Sequence, residues 1–97
     1  MDSKEFVENI DTWKLIANEE GIQLSDNKPL TEEFWAFFIG FSISAYNKMR
    51  GFENDKRDIK PYTSKLVRLL NQMSRKEFIK ELKTEIEAFV REQCKND

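Results

Sequence analysis

The chain has 97 residues, of which 39% are hydrophobic and 35% are charged, a balance typical of one small folded domain rather than a disordered segment. It contains no His, which excludes the commonest general base and the commonest metal ligand in proteins. Its single Cys excludes intramolecular disulfides and zinc sites built from several Cys. We therefore predict a single domain over 1–97 that is not an enzyme and that holds no cofactor or metal.

Gly and Pro are rare, with 3 and 2 residues respectively, and this favours long helices over turn-rich β structure. Apolar residues also recur every three or four positions through most of the sequence, which is the spacing of one helix face. We predict an all-α fold, specifically a compact four-helix bundle with helices over about 3–20, 31–50, 61–73 and 75–93.

The first predicted helix begins after Asp2, which stands three residues before Glu5, as in a capping box. Gly21 can adopt the left-handed conformation that ends a helix, and Ile22 can then fold back on the last turn. The buried face is expected to contain residues at helical spacing, namely Phe6, Ile10, Trp13 and Ala17.

The second predicted helix begins at Thr31, a good N-cap residue, and ends before Gly51. It is apolar on nearly every side between residues 34 and 46, so we expect it at the centre of the bundle. Eight Phe are many for one small core, so a further interpretation is that this Phe-rich helix forms a homo-oligomer interface. Small residues at intervals of four should form a groove for a neighbouring helix backbone, namely Ala36, Gly40 and Ser44.

Pro61 fits the first turn of a third helix, and Ser74 with Glu77 forms the capping box of a fourth. These two helices should therefore meet at a sharp corner, and the charged segment over 51–60 that precedes them is expected to be an exposed loop. The third helix is expected to bury Tyr62, Leu66, Leu69 and Met73, and the fourth Phe78, Leu82, Ile86, Phe89 and Val90.

The net charge of −2 is an average over three unequal parts of the chain. Residues 1–33 carry a net charge of −6, residues 34–76 carry +6, and residues 77–97 carry −2. Basic residues of the third helix share an exposed side and, with the preceding loop, form a candidate edge for the backbone of RNA or single-stranded DNA. The residues predicted to contact phosphates are Arg57, Lys60, Lys65, Arg68 and Arg75.

Two aromatic residues, Phe52 and Tyr62, flank the loop and are placed to stack on bases. The alternative interpretation is structural, because any helix on the outside of a bundle needs a charged face, and Lys and Arg commonly supply it. Acidic residues in the loop also dilute its positive charge. Both interpretations stay open at the level of sequence.

Two stretches carry a family resemblance. FWAFFIGFSISAYNKM over 34–49 is an aromatic-rich helix around an FxxG-type break, and KPYTSKLVRLLNQMSRKEFIKEL over 60–82 is a short helix, a corner and a second amphipathic helix. This order is similar to the C-terminal helical bundle of the large subunit of type I-B CRISPR effector (Cascade-like) complexes, and it resembles the separate all-α small subunits of CRISPR effector complexes. The resemblance implies a small non-catalytic subunit that packs along a guide-RNA complex and contacts nucleic-acid backbone with basic side chains.

The N-terminal residues are acidic without an apolar secretory segment, and the longest apolar stretch, over 34–45, is too short to span a membrane. We therefore expect a cytoplasmic protein without a membrane partner. Its expected function is that of a binding subunit in a nucleoprotein complex of antiviral-defence type, with nucleic acid and other protein subunits as partners. The alternative is a protein-only binder, such as a bacteriocin-immunity-like or phage-encoded inhibitor bundle.

Overall fold

The computed structural model describes residues 1–25, 28–51 and 59–95, with side chains as far as Gln93. In these ranges the chain forms five helices and no strand. The all-α prediction is confirmed, whereas the count of four helices is not. The helices are α1 (Ser3–Glu19), α2 (Glu32–Phe38), α3 (Ile43–Met49), α4 (Pro61–Gln72) and α5 (Arg75–Lys95).

The first helix begins and ends as its sequence predicts. The Asp2 carboxylate accepts a hydrogen bond from the backbone N–H of Glu5 at 2.8 Å, which caps the first turn. Gly21 has a φ of +67°, and the backbone N–H of Ile22 donates to the Ala17 carbonyl at 2.9 Å, in the pattern that closes a helix. The predicted core residues are all buried, namely Phe6, Ile10, Trp13 and Ala17.

The single helix predicted over 31–50 is divided in the structure, and Gly40 is the reason. α2 ends two residues before Gly40, which has a φ of +84°. The N–H of Gly40 donates to the Phe37 carbonyl at 3.0 Å, and the N–H of Phe41 donates to the Ala36 carbonyl at 2.9 Å. These two hydrogen bonds form the Schellman closure that a left-handed Gly permits, so the helix stops instead of continuing.

The next helix starts almost at once, because Ser42 is a good N-cap residue. Its hydroxyl accepts a hydrogen bond from the backbone N–H of Ala45 at 3.2 Å. The predicted small-residue groove is wrong, because Gly40 lies between two helices instead of inside one. The residues that no longer share a helix face are Ala36, Gly40 and Ser44.

The remaining predicted helix starts are confirmed. The Thr31 hydroxyl accepts from the backbone N–H of Phe34 at 3.2 Å, and Pro61 occupies the first turn of α4. Ser74 and Glu77 form a reciprocal capping box, with each side chain accepting from the other residue's N–H at 3.2 Å. Only two residues separate α4 from α5, so the predicted sharp corner is present.

The core is built around an aromatic cluster that α1, α2 and α5 supply together. The Trp13 ring centroid lies 6.5 Å from that of Trp35 and 5.8 Å from those of Phe38 and Phe78. These rings meet tilted or edge to face, which aromatic pairs prefer. The aromatic side chains of α2 thus pack inside this chain, and the binding of a second copy to this helix stays a prediction.

The predicted buried face of α5 is confirmed at Phe78, Leu82, Ile86 and Phe89, and Val90 is partly buried.

The predicted buried stripe of α4 is wrong, because the helix is turned by one residue, or about 100° around its axis. The residues that face the core are Thr63, Val67 and Leu70, and they are exposed by 1%, 0% and 7%. In the stripe predicted to be buried, Tyr62 is 65% exposed, Leu69 47% and Met73 36%. The structure therefore buries the smaller set of apolar side chains and leaves the larger set at the surface.

The break at Gly40 predicts whether a substitution at this position raises or lowers the free energy of unfolding. Gly40→Ala should lower the free energy of unfolding by about 1–2 kcal/mol, because a residue with a Cβ is strained at φ +84°. No heavy atom lies within 4 Å of the added Cβ, so the cost is conformational. Gly40→Asn should cost less, since Asn tolerates this conformation better.

Urea unfolding of the three proteins, followed by circular dichroism, measures both effects. A continuous helix over 31–50 would give the opposite sign, because Ala in a helix interior is more stable than Gly by about 0.5–1 kcal/mol. Stabilisation by Gly40→Ala would therefore contradict the division into α2 and α3.

Candidate nucleic-acid interface

The orientation of α4 depends on a hydrogen bond to a buried indole. Trp13 of α1 is only 1% exposed, and its Nε1–H donates to Asn71 Oδ1 at 2.8 Å. The Nδ2 amide of Asn71 in turn donates to Asn9 Oδ1 at 2.5 Å. Asn71 is otherwise exposed, and since a buried donor needs an acceptor, this hydrogen bond favours the orientation of α4 that keeps the Asn71 side chain beside α1. The opposite side of the helix is therefore held toward solvent.

The outer face of α4 consists of two parallel rows of side chains. The two rows lie about 100° apart around the helix axis, so they are neighbours along its whole length. The apolar row is Tyr62, Leu66, Leu69 and Met73, of which only Leu66 is half-buried and the others are exposed. The basic row is Lys65, Arg68 and Gln72, all exposed.

The cations of the basic row lack acidic partners. Neither Lys65 nor Arg68 has a carboxylate within ion-pair distance in the described part of the chain. The segment over 59–76 contains five basic residues and no acidic residue, although the whole chain has 18 acidic residues. The outer face of α4 is therefore positive on a protein whose net charge is −2.

The aromatic residue of the apolar row is supported from behind. The ring of Tyr62 stacks on that of Phe41, with 6.4 Å between centroids and 20° between planes. Phe41 follows the break at Gly40 and packs partly buried against the core. It therefore connects one side of the Tyr62 ring to the body of the protein, while Tyr62 remains 65% exposed.

The other predicted phosphate contacts are placed differently. The Arg75 guanidinium, at the start of α5, pairs with Glu19 at 3.1 Å and Glu20 at 3.0 Å, at the end of α1. The hydrogen bond to Glu19, with the charges of both carboxylates, raises the pKa of Arg75. Lys60 is exposed at the N-cap of α4, one position before the helix begins. Arg57 lies outside the described residues, as does most of the predicted 51–60 loop.

A second charged cluster surrounds Glu32 in the first turn of α2. Its carboxylate accepts hydrogen bonds from Lys14 Nζ, from the Tyr46 hydroxyl at 2.7 Å and from Arg50 Nη1 at 3.0 Å. The Arg50 guanidinium also lies over the Tyr46 ring, 5.0 Å from its centroid. One carboxylate thus joins α1, α2 and α3, and it neutralises two cations that would otherwise add to the positive surface.

The ionisation of this cluster suits a structural clamp. Partial burial alone would raise the pKa of the Glu32 carboxyl, but the hydrogen bonds from Lys14 and Tyr46 and the charges of Lys14 and Arg50 outweigh it and lower this pKa. Burial, and then the hydrogen bond to Glu32, raise the pKa of Tyr46. Neither group therefore titrates near neutral pH, where a proton-transfer residue would need to.

Lys65 and Arg68 are predicted as phosphate contacts from the sequence, whereas the residues that position them are not. Asn71 was overlooked because an Asn near the end of a surface helix is ordinarily a solvated residue. The useful signal was Trp13, because a Trp on a buried stripe requires an acceptor from a neighbouring element. The sequence predicts Phe41 in the middle of a long helix, and that prediction does not include a contact with Tyr62.

Comparison of the chain with protein-family models, with curated proteins and with solved structures found no significant match. The resemblance to CRISPR effector subunits therefore stays a prediction. In the described ranges no group of acidic or Cys side chains is arranged to hold a metal ion, and no helix is long and apolar enough to cross a bilayer.

The hydrogen bond that orients α4 can be tested by removing its acceptor. Asn71→Leu keeps a side chain of similar size over the indole but leaves the buried N–H of Trp13 without a partner. We expect the free energy of unfolding to fall by about 1–2 kcal/mol in urea titrations. The matched control is Gln72→Leu, at the next residue, which belongs to the exposed basic row. This substitution should change the free energy of unfolding by no more than about 0.5 kcal/mol. Equal effects of the two substitutions would contradict this role for Asn71.

Proposed function

We propose that this protein is a non-catalytic binding subunit that contacts the backbone of a nucleic acid, RNA or single-stranded DNA, through the outer face of α4. The observation that carries the proposal is the pair Lys65 and Arg68, exposed on an acid-free helix with no carboxylate partner in the described ranges. Such cations can neutralise phosphates and release counterions. Arg75 would first have to leave Glu19 and Glu20, so it contributes less.

Such a surface suits a subunit that works inside a larger assembly. Two phosphate contacts give modest affinity, since each neutralised phosphate adds only one increment of counterion release. Neighbouring protein subunits would supply the remaining contacts and hold the strand in place. The resemblance over 34–49 and 60–82 implies that this assembly is a CRISPR effector complex in the cytoplasm, with an antiviral-defence role.

A second candidate function is favoured by the exposed apolar row of α4. Leu69 and Met73 are exposed on the row that neighbours Lys65 and Arg68, so an acidic amphipathic helix of another protein could cover both rows. In this alternative the chain is a protein-only binder, and nucleic acid does not compete for the surface.

The proposal predicts a charge-specific loss of binding. A fluorescently labelled single-stranded oligonucleotide should bind the purified protein at low salt, with log affinity falling against log salt with a slope of about −1.4 for two phosphate contacts. The double variant Lys65→Glu and Arg68→Glu should weaken binding at least about ten-fold at low salt, because it replaces two attractions with two repulsions.

The matched control is Lys80→Glu with Lys83→Glu, two exposed positions on α5. Each pair of reversals changes the net charge by −4, from −2 to −6, so the two variants differ only in where the charge lies. An equal loss in both variants would attribute binding to net charge and contradict the proposal. The absence of any binding by the folded wild-type protein at low salt would do the same.

A further inference from the structure

We infer that the outer face of α4 selects single strands, with phosphates along the basic row and bases against the apolar row, beginning with a base stacked on Tyr62. This inference rests on the proposed function and adds the form of nucleic acid that the face accepts and the direction in which its bases point.

The two rows run side by side along the same helix. With a rise of 1.5 Å per residue, Lys65 lies about 4.5 Å and Arg68 about 9 Å along the axis from Tyr62. A single strand also has two edges, since charged phosphates follow one side and flat apolar bases follow the other. Leu69 lies level with the basic residues on the neighbouring row, 47% exposed, where the bases of such a strand would lie.

Tyr62 has the properties of a stacking platform. Its ring is 65% exposed, and one side of it rests on Phe41 at 20° between planes. Because Phe41 packs against the core, the Tyr62 ring is held in position before a ligand arrives. A ring fixed in advance loses less conformational freedom when a base stacks on it, and this preserves more of the stacking energy.

A duplex would use only half of this surface. Its bases are paired inside the helix, so it presents phosphates to Lys65 and Arg68 but no exposed base to Tyr62 or Leu69. The apolar row would then remain in water, beside a ligand that gives it no contact. A duplex would therefore contact only the basic row, through its charge. A single strand with accessible bases would contact both rows.

Three labelled ligands separate charge from stacking in an anisotropy titration. They are an oligothymidylate of about ten nucleotides, which is longer than the row, an abasic strand with the same number of phosphates, and a blunt-ended DNA duplex of about ten base pairs, which presents more phosphates and no unpaired base. The wild-type protein should bind the oligothymidylate at least about five-fold more tightly than either of the others at the same salt concentration.

Two substitutions of Tyr62 then test whether the preference for the oligothymidylate depends on the aromatic ring at this position. Tyr62→Ala should lose about five-fold or more in affinity for the oligothymidylate and nothing for the abasic strand, whereas Tyr62→Phe should keep the wild-type affinity for both. Tyr62 is exposed, so neither change disturbs the core, and circular dichroism checks that each variant is folded.

The outcomes distinguish the two levels of the proposal. If Tyr62→Ala binds like the wild type while Lys65→Glu with Arg68→Glu does not bind, the stacking inference is overturned and the phosphate-binding function stands. Equal wild-type affinity for the strand and the duplex would also overturn only the inference. If the folded wild-type protein binds none of the three ligands at low salt, the proposed function itself is overturned and the apolar row is left to a protein partner.

Discussion

The indole N–H of Trp13 is buried among aromatic rings, and Asn71 of α4 supplies the oxygen that accepts its hydrogen bond. A buried donor without an acceptor costs about 1–3 kcal/mol, a large fraction of the stability of a domain this small. This requirement favours the orientation of α4 in which Asn71 lies beside α1. Everything that we propose about the surface follows from that orientation, because it places the more apolar side of α4 in water together with Lys65 and Arg68, which have no ion-pair partner among the described residues.

Two other basic residues from the centre of the chain form ion pairs with acidic residues. Arg50 and Arg75 each pair with glutamates from other helices, so they hold helices together instead of forming a recognition surface. Their pairs connect the basic centre of the sequence to its acidic beginning. Lys65 and Arg68 are exposed on α4, and neither has a carboxylate within ion-pair distance in the described ranges.

Local signals in the sequence predicted the parts of the fold that local physics determines. The caps at Asp2, Thr31 and Ser74 and the stop at Gly21 depend on residues within one or two turns, and each is confirmed. The prediction of one helix through Gly40 is wrong, because its apolar neighbours resemble a continuous central helix. The stop and start signals were nevertheless present, since a Gly is followed two residues later by the N-cap Ser42.

The orientation of α4 could not be read from its own sequence in the same way. Two rows of that helix have apolar spacing, and side-chain size alone predicts burial of the row with the larger side chains. The structure instead buries Thr63 with Val67 and Leu70, and the Thr63 hydroxyl has no hydrogen-bond partner in the described part of the chain. A contact between residues 58 positions apart, Trp13 to Asn71, favours this orientation. Periodicity within one helix contains no information about such a contact.

The measurement that tests this orientation most directly is the reactivity of single thiols on α4. Leu69→Cys and Val67→Cys would each be made in a Cys94→Ser background and treated with a thiol reagent under native conditions. We predict that the thiol of Leu69→Cys reacts as fast as it does in the unfolded protein, because Leu69 is 47% exposed, and that the thiol of Val67→Cys is protected, because Val67 is 0% exposed. Rapid reaction at position 67 with protection at position 69 would contradict the orientation, and with it the recognition surface that depends on it.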